Sequence, residues 1–325
     1  MTERSECYEK GGERENVKVA EKVAKANREA YERLDRERYI VGAFHIRQEG
    51  PKRVWLALWQ RVQAHLPEKK RNDWELLDLG AGEGSMTLSW LERGARVTAI
   101  DISQRRLEQL GERCKRFQER LTLIEGDASE WVVRLKELQK TYDVVAVSAF
   151  LHHVPDYLLL VESFLGLVGK GGQVITFEDP LWRPRLGWTS TIMDDLLYAM
   201  WRVSQPDPVG GAFRWLRRKC GIFRDTPEDW VEYHGVRWGV DEEKIVTILE
   251  RSGFEWEMYR YFSTPGKWEQ RVGESLGLVN RFALWARRTK SVEGLYSQGE
   301  ERLPKKVSSE TPQRERKKGL GSFQY

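Results

Sequence analysis

The stretch that decides the fold is LLDLGAGEG, residues 76–84. Leu76 to Leu79 form an apolar run suited to a buried strand, and Gly80, Gly82 and Gly84 follow at a spacing of two. Glycine lacks a Cβ, so such a loop can take unusual dihedrals and let ligand atoms approach the backbone closely. A dinucleotide fingerprint does not fit. With Gly80 and Gly82 as its first two glycines, the third position is Ser85.

Outward from this loop, strands alternate with helices from Trp74 onward. WELLDL reads as a strand and SMTLSWLERG as a helix ended by Gly94; RVTAID is a strand, SQRRLEQLGERCKRF a helix and LTLIEGD a third strand. A helix around Trp131 to Leu138, the strand DVVAVSAF, a helix from Asp156 to Leu167 and the strand GQVITFED follow. This alternation predicts an α/β fold, a doubly wound and mainly parallel sheet covered by helices on both faces. Helix 241–252 and the strands FEWEMYRYF and RFALWARR extend it, with so little helix-forming sequence between the two strands that an antiparallel edge hairpin is expected.

Three segments frame this core, which is expected to span residues 51–290. Residues 1–50 form a helical extension in which Ala20, Val23, Ala30, Tyr31 and Leu34 share one face of a helix over 15–38. A second helix starts near Pro51 and is expected to bury Val54, Leu56, Leu58, Trp59 and Val62. Residues 180–240 interrupt the alternation and hold six of the fourteen tryptophans: Trp182, Trp188, Trp201, Trp215, Trp230 and Trp238. An insertion that long should be a helical cap or lid rather than a structureless loop. After residue 290 the chain turns polar and mildly basic without an apolar period, so 291–325 reads as a disordered tail.

Composition narrows the function classes. No apolar run reaches the roughly 18 residues a membrane span needs, and the charged start MTERSECYEKGGERE is unlike a secretory signal, so a cytoplasmic protein is expected. Cys7, Cys114 and Cys220 are odd in number and far apart, which argues against a disulfide framework. A net charge of +4 from 54 basic and 50 acidic residues gives no nucleic-acid footprint.

Ligands of an open parallel sheet sit beyond the carboxyl ends of its strands. Asp101 ends the second strand, where a carboxylate can accept both hydroxyls of a ribose, and Asp127 follows the third, where it can accept from an adenine amino group. With DLGAGEG, AIDIS, EGDA, YDVVAVSAFLHHVPD and LGLVGKGGQVITFED in that order, the chain resembles the class I S-adenosylmethionine-dependent methyltransferases over about residues 50–180. The resemblance implies S-adenosyl-L-methionine as cofactor. It places the methionine end at Asp78 and Gly80, with Ala81 and Gly82 in the same loop, the ribose at Asp101 beside Ile102, and the adenine at Asp127 and Ala128. Ser148, Ala149 and Phe150 would line the reactive side.

The acceptor is less defined. Base and glutamine N-methyltransferases of this fold carry an Asn/Asp-Pro-Pro-aromatic motif after the fourth strand, whereas this chain has SAFLHH. Metal-dependent catechol enzymes place carboxylates at the ends of strands four and five, whereas Ser148 holds the first position here, so no metal is expected. LHHVPD is similar to the quinone-biosynthesis and small-molecule branch. His152 or His153 is then a candidate general base, with His234 in the insertion and Glu178 and Asp179 after strand five as rivals. Trp182, Trp188, Trp201 and Tyr233 are candidate walls of an apolar acceptor pocket. These readings predict methyl transfer to oxygen, nitrogen or carbon of a small or medium, partly apolar molecule. An RNA or protein methyltransferase, or a cofactor-retaining cyclase or binding protein, are the alternatives. The N-terminal helix and the cap are candidate surfaces for self-association.

Overall fold

The computed structural model describes residues 3–33, 47–68, 73–203, 208–224, 226–231, 233–235 and 237–289. The expected tail over 291–325, the end of the first predicted helix and the side chain of Trp201 lie outside what it describes.

Helix α1, Glu3–Arg33, is followed by α2, Glu49–His65. The alternating unit then runs β1 (Trp74–Leu79), α3 (Ser85–Glu92), β2 (Ala95–Asp101), α4 (Gln104–Arg113), β3 (Leu121–Glu125), α5 (Ala128–Glu137), β4 (Tyr142–Ser148), α6 (Tyr157–Leu165) and β5 (Val168–Pro180). The insertion folds into α7 (Trp188–Val203), α8 (Pro208–Lys219) and the single turn α9 (Pro227–Val231). Helix α10 (Glu242–Arg251), β6 (Phe254–Tyr261), α11 (Lys267–Ser275) and β7 (Arg281–Arg288) complete the order.

The seven strands lie in the order β3-β2-β1-β4-β5-β7-β6. All neighbouring pairs from β3 to β5 are parallel, and β7 runs antiparallel to both β5 and β6. The expected α/β doubly wound sheet is therefore present, and its antiparallel pair differs from a simple hairpin in two ways. A nine-residue helix, α11, separates the two strands, and β7 sits inside the sheet while β6 takes the edge. The burial of each strand gives the reason. Phe282 to Ala286 are buried without a break, as a strand covered on both faces requires, whereas β6 mixes buried with half-exposed and exposed positions.

Strand residues alternate between two cores. Leu77, Leu79, Val145 and Val147 pack with Val132, Phe164 and Ile248 on one face of the sheet. Leu76, Val97, Val144 and Ala146 pack with Leu58, Val62, Trp90 and Leu110 on the other. The α2 stripe differs from expectation at Leu56, which is 49% exposed; Leu58 and Val62 carry the burial. Helix α1 docks on α9 and α4, with Val23 and Ala26 buried. It thus joins the insertion to the carboxyl end of β2.

Candidate active site

The glycine loop turns the chain from β1 into α3. Gly80, Gly82 and Gly84 all have positive φ, at 70°, 55° and 83°. A Cβ on Gly80 would lie 2.3 Å from the Phe150 ring, and one on Gly84 would lie 2.6 Å from Leu110. Both dihedral and space therefore demand glycine at these two positions. The Gly80 and Ala81 amides donate to the Ile100 carbonyl, at 2.9 and 3.1 Å, pinning the loop to the end of β2.

Asp101 receives the loop's next amide. Its Oδ2 accepts from Gly82 N at 2.8 Å and its Oδ1 from Ser103 N at 2.9 Å. Burial pushes this carboxyl up, and the two backbone donors oppose that shift. Asp78 lies deeper, 2% exposed, and accepts from the Thr87 hydroxyl at 2.7 Å. Burial raises it to about 7. Asp127 caps α5 by accepting from Ser129 N at 2.7 Å, with Ala128 buried behind it, and Ile102 is half-buried beside Asp101. Asp78, Gly80, Ala81, Gly82, Asp101, Ile102, Asp127 and Ala128 thus all lie at the carboxyl ends of β1, β2 and β3.

The tips of β4 and β5 carry strain. Ala149 and Glu178 are non-glycine residues at φ 49° and 69°, each directly after or near the end of its strand. Such dihedrals cost on the order of 1–3 kcal/mol and persist only where the surroundings impose them. Here Ala149 N donates to Phe177 O at 2.7 Å, and a bulge shifts the β5–β7 register between Phe177 and Asp179. The bulge lets Asp179, fully buried, turn toward the short 3-10 turn Leu151–His153.

There the two histidines differ in their partners. His152 Nδ1 is 2.8 Å from Asp179 Oδ1, and the same oxygen accepts the His152 backbone amide at 3.1 Å. A carboxylate acceptor places the proton on Nδ1 and leaves the imidazole lone pair on Nε2. His153 has both ring nitrogens in hydrogen bonds. Nδ1 donates to Val231 O on α9 at 2.5 Å, and Nε2 accepts from the Tyr31 hydroxyl on α1 at 3.1 Å.

His234 is a tie between the insertion and the β4 tip. Its amide donates to His152 O at 2.8 Å and its Nε2 donates to Pro155 O at 2.9 Å, with its ring edge-on to Tyr157 and Tyr233. Burial lowers its pKa, so the neutral form is favoured. Tyr233 stacks on Trp230, and Arg237 lies over both rings and over Phe223. Tyr233 is half-buried in this aromatic cluster of the cap. Trp182 is half-buried at the root of the insertion, and Trp188 is 75% exposed on the outside of α7, where it cannot line an enclosed pocket.

Glu178, a candidate already named from the sequence, sits beside these tips among polar partners that sequence reading did not name. Glu178 is 3% exposed, its Oε2 is 3.8 Å from Arg281 Nε, and the hydroxyls of Tyr261 and Ser263 lie beside its carboxyl. Burial raises its pKa against the pull of Arg281. Asn280 accepts from Ser263 N at 2.9 Å and donates to Asp194 Oδ1 on α7 at 2.8 Å. Among the described residues, buried Ser148 Oγ and Asp179 Oδ2 have no hydrogen-bond partner. Tyr31 appeared in the sequence only as a member of an apolar helix face. A long-range partner such as His153 leaves no periodic signal, and the same holds for Asn280 and Asp194.

These side chains converge at the carboxyl ends of β1, β2, β4 and β5. A separate surface cleft of about 410 Å³, between Trp59, Gln63, Leu66, Arg93 and Arg120, lies beside the amino ends of β1 and β2 and away from this chemistry.

Residues 77–176 match the family model described as a methyltransferase domain. The ubiquinone biosynthesis O-methyltransferase of Vibrio parahaemolyticus is 34% identical over 100 residues, 31% of this chain and 41% of that protein. The demethylmenaquinone methyltransferase of Tropheryma whipplei is 30% identical over 187 residues, 56% of this chain and 66% of that protein. The chain therefore spans about two-fifths of the length of the ubiquinone relatives it matches. Among solved structures, the magnesium protoporphyrin IX methyltransferase of Synechocystis PCC 6803 aligns over 82% of this chain and 97% of its own, with 14% identity and a TM-score of 0.48.

Proposed function

We infer, for a chain that belongs to the class I S-adenosylmethionine-dependent methyltransferases, that it methylates an aromatic hydroxyl on a quinone-type precursor with an apolar substituent. The observation that carries this reading is the His152–Asp179 pair, 2.8 Å apart at the tip of β4. A phenolic hydroxyl is weakly acidic and gains from a base at the moment of transfer, a contribution of about 10²- to 10⁴-fold. The names of both relatives concern quinones, and that of the ubiquinone relative specifies an O-methyltransferase.

The cofactor supplies an electrophilic methyl group on a sulfonium sulfur. The residues present suit it. Gly80 and Gly82 bring bare backbone to the cleft, Asp101 offers a carboxylate fixed by two amides, and Asp127 keeps a second oxygen beyond the one that caps α5. Asp78, Gly80, Ala81 and Gly82 would take the amino-acid end, Asp101 and Ile102 the ribose, and Asp127 and Ala128 the adenine. Ser148, Ala149 and Phe150 would face the reactive side.

In this assignment His152 Nε2 takes the acceptor's proton. Asp179 holds the imidazole in that tautomer and stabilises the imidazolium that forms, while its own proton affinity is not used. Glu178, with Ser263 and Tyr261 beside it, positions a second polar group of the acceptor. His153 is a positioning residue that joins α1 and α9 over the cleft, and His234 holds the cap to the same turn. Trp182 is the remaining aromatic candidate for an acceptor wall.

The test is turnover. Purified protein with labelled cofactor should methylate polyprenylated dihydroxybenzoates or catechols, and the His152→Asn variant should lose about 10²-fold or more of kcat while keeping cofactor affinity within about two-fold. Equal turnover by His152→Asn would remove the base from this position. A labelled nitrogen or carbon product would keep the enzyme and replace the acceptor.

A further inference from the structure

The glycine loop, residues 80–84, carries one charged side chain, and that side chain is closed off from solvent: Glu83 is 1% exposed. A buried carboxylate is costly unless it is paired and hydrogen-bonded, and neighbouring helices meet both conditions. Arg113, the last residue of α4, places its Nη2 2.6 Å from Glu83 Oε2. Ser85, the first residue of α3, donates its hydroxyl to Glu83 Oε1, and Arg113 Nη1 donates to Ser85 Oγ at 2.7 Å. A planar guanidinium that reaches two partners at once fixes direction as well as distance.

The place of Glu83 in the loop gives this pair its consequence. The first half of the loop is held by β2, through the Gly80 and Ala81 amides on Ile100 O and the Gly82 amide on Asp101 Oδ2. Glu83 follows directly, between two glycines of positive φ, 55° at Gly82 and 83° at Gly84. Glycine has little conformational preference of its own, so the path of the chain there depends on what its amides and the Glu83 side chain bind. The ion pair fastens this second half to the end of α4. The start of the same helix is capped by Ser103, whose amide donates to Asp101 Oδ1. Loop and carboxylate are thus tied to the two ends of one helix, and to each other through Gly82.

We propose that Glu83 and Arg113 are positioning residues for the cofactor, their ion pair acting through the Gly82 amide to hold Asp101 and the glycine loop in one arrangement. Glu83, closed off from solvent, acts through the backbone it belongs to. The proposal rests on placing S-adenosyl-L-methionine at the glycine loop and is independent of the acceptor.

Titration calorimetry with S-adenosylhomocysteine, beside thermal melts, tests it on Glu83→Met, Arg113→Met and the double variant of the full chain. Arg113→Met leaves a buried carboxylate unpaired and should melt lower. The double variant removes both charges and should regain most of the lost melting temperature, because a buried ion pair contributes little net stability over apolar residues of similar size. Affinity should not follow. It should fall by about ten-fold or more in both single variants and stay down in the double, since apolar contacts are non-directional and do not restore the fork. Should Arg113→Met not fold, Glu83→Met and the double variant carry the test. Affinity within about two-fold of wild type in Glu83→Met, or affinity that returns with the melting temperature in the double variant, would overturn the proposal and leave the pair a structural one. Asp101→Ala, measured alongside, separates the two layers of that failure. If it also binds like wild type, the placement of the cofactor falls too; if it alone loses affinity, the placement stands and only the role of the pair is lost.

Discussion

The hydroxyl of Tyr31, on α1, donates to Nε2 of His153 across 3.1 Å, joining residues 122 apart in the chain. The next residue, Glu32, accepts from the Ser103 hydroxyl at 2.9 Å, beside the carboxylate of Asp101. The end of α1 therefore bridges the tips of β2 and β4. Removing one hydrogen bond of this kind costs about 0.5–1.5 kcal/mol, so Tyr31→Phe should weaken cofactor binding by roughly two- to twelve-fold with the fold intact. Calorimetry showing unchanged affinity would mean that α1 is a passive brace.

Asp179 has a separable effect from His152. Asp179→Asn keeps the shape of the buried site but can present an amide donor to Nδ1, which favours the tautomer with its proton on Nε2. Turnover should fall by about 10²-fold or more, with KM for the acceptor changed far less than kcat. Stopped-flow single turnovers would show the loss in the chemical step. A loss confined to KM would make Asp179 a binding group.

The cofactor cradle is testable at two residues. A carboxylate hydrogen bond is worth about 1.5–3 kcal/mol, so Asp101→Ala should weaken cofactor binding by roughly 10- to 150-fold. Gly80→Ala combines a positive φ with a 2.3 Å approach to Phe150, and should abolish measurable binding and lower the melting temperature. Isothermal titration with the demethylated cofactor distinguishes both from wild type. Full affinity in Gly80→Ala would contradict the tight contact between the loop and Phe150.

Asp78 sets a pH dependence of stability. Its pKa is raised from 3.8 to about 7 in the folded chain, so between these values the folded state holds more protons than the unfolded state. The stability it contributes is full below about pH 4 and is lost as pH rises through 7. Between about pH 5.5 and about pH 8 the loss is on the order of 2 kcal/mol. Asp101, Glu178 and Asp194 shift in the same direction, so the wild-type slope is shared. Asp78→Asn should remove one part of it, so that urea denaturation finds the variant gaining on wild type as pH rises. Parallel pH curves for the two proteins would exclude an ionisable Asp78 in that window.

The alternation of apolar strands and amphipathic helices, with glycines after β1 and acids after β2 and β3, was legible in the sequence because each signal is local. Strand pleat, helix turn and glycine dihedrals depend on residues within a few positions of one another. RFALWARR was legible as a strand, whereas the burial of β7 on both faces and its place between β5 and β6 depend on pairing across the sheet. What only the tertiary structure decided is which partners each histidine meets. His152 and His153 are adjacent and chemically identical, and their surroundings differ because a bulge in β5 brings Asp179 to one while α1 and α9 bring Tyr31 and Val231 O to the other. The insertion shows the same limit. Its tryptophans read alike in sequence, yet packing half-buries Trp230 against Tyr233 and Arg237 and leaves Trp188 in solvent, since burial is fixed by which neighbours a helix face meets rather than by the face's own composition.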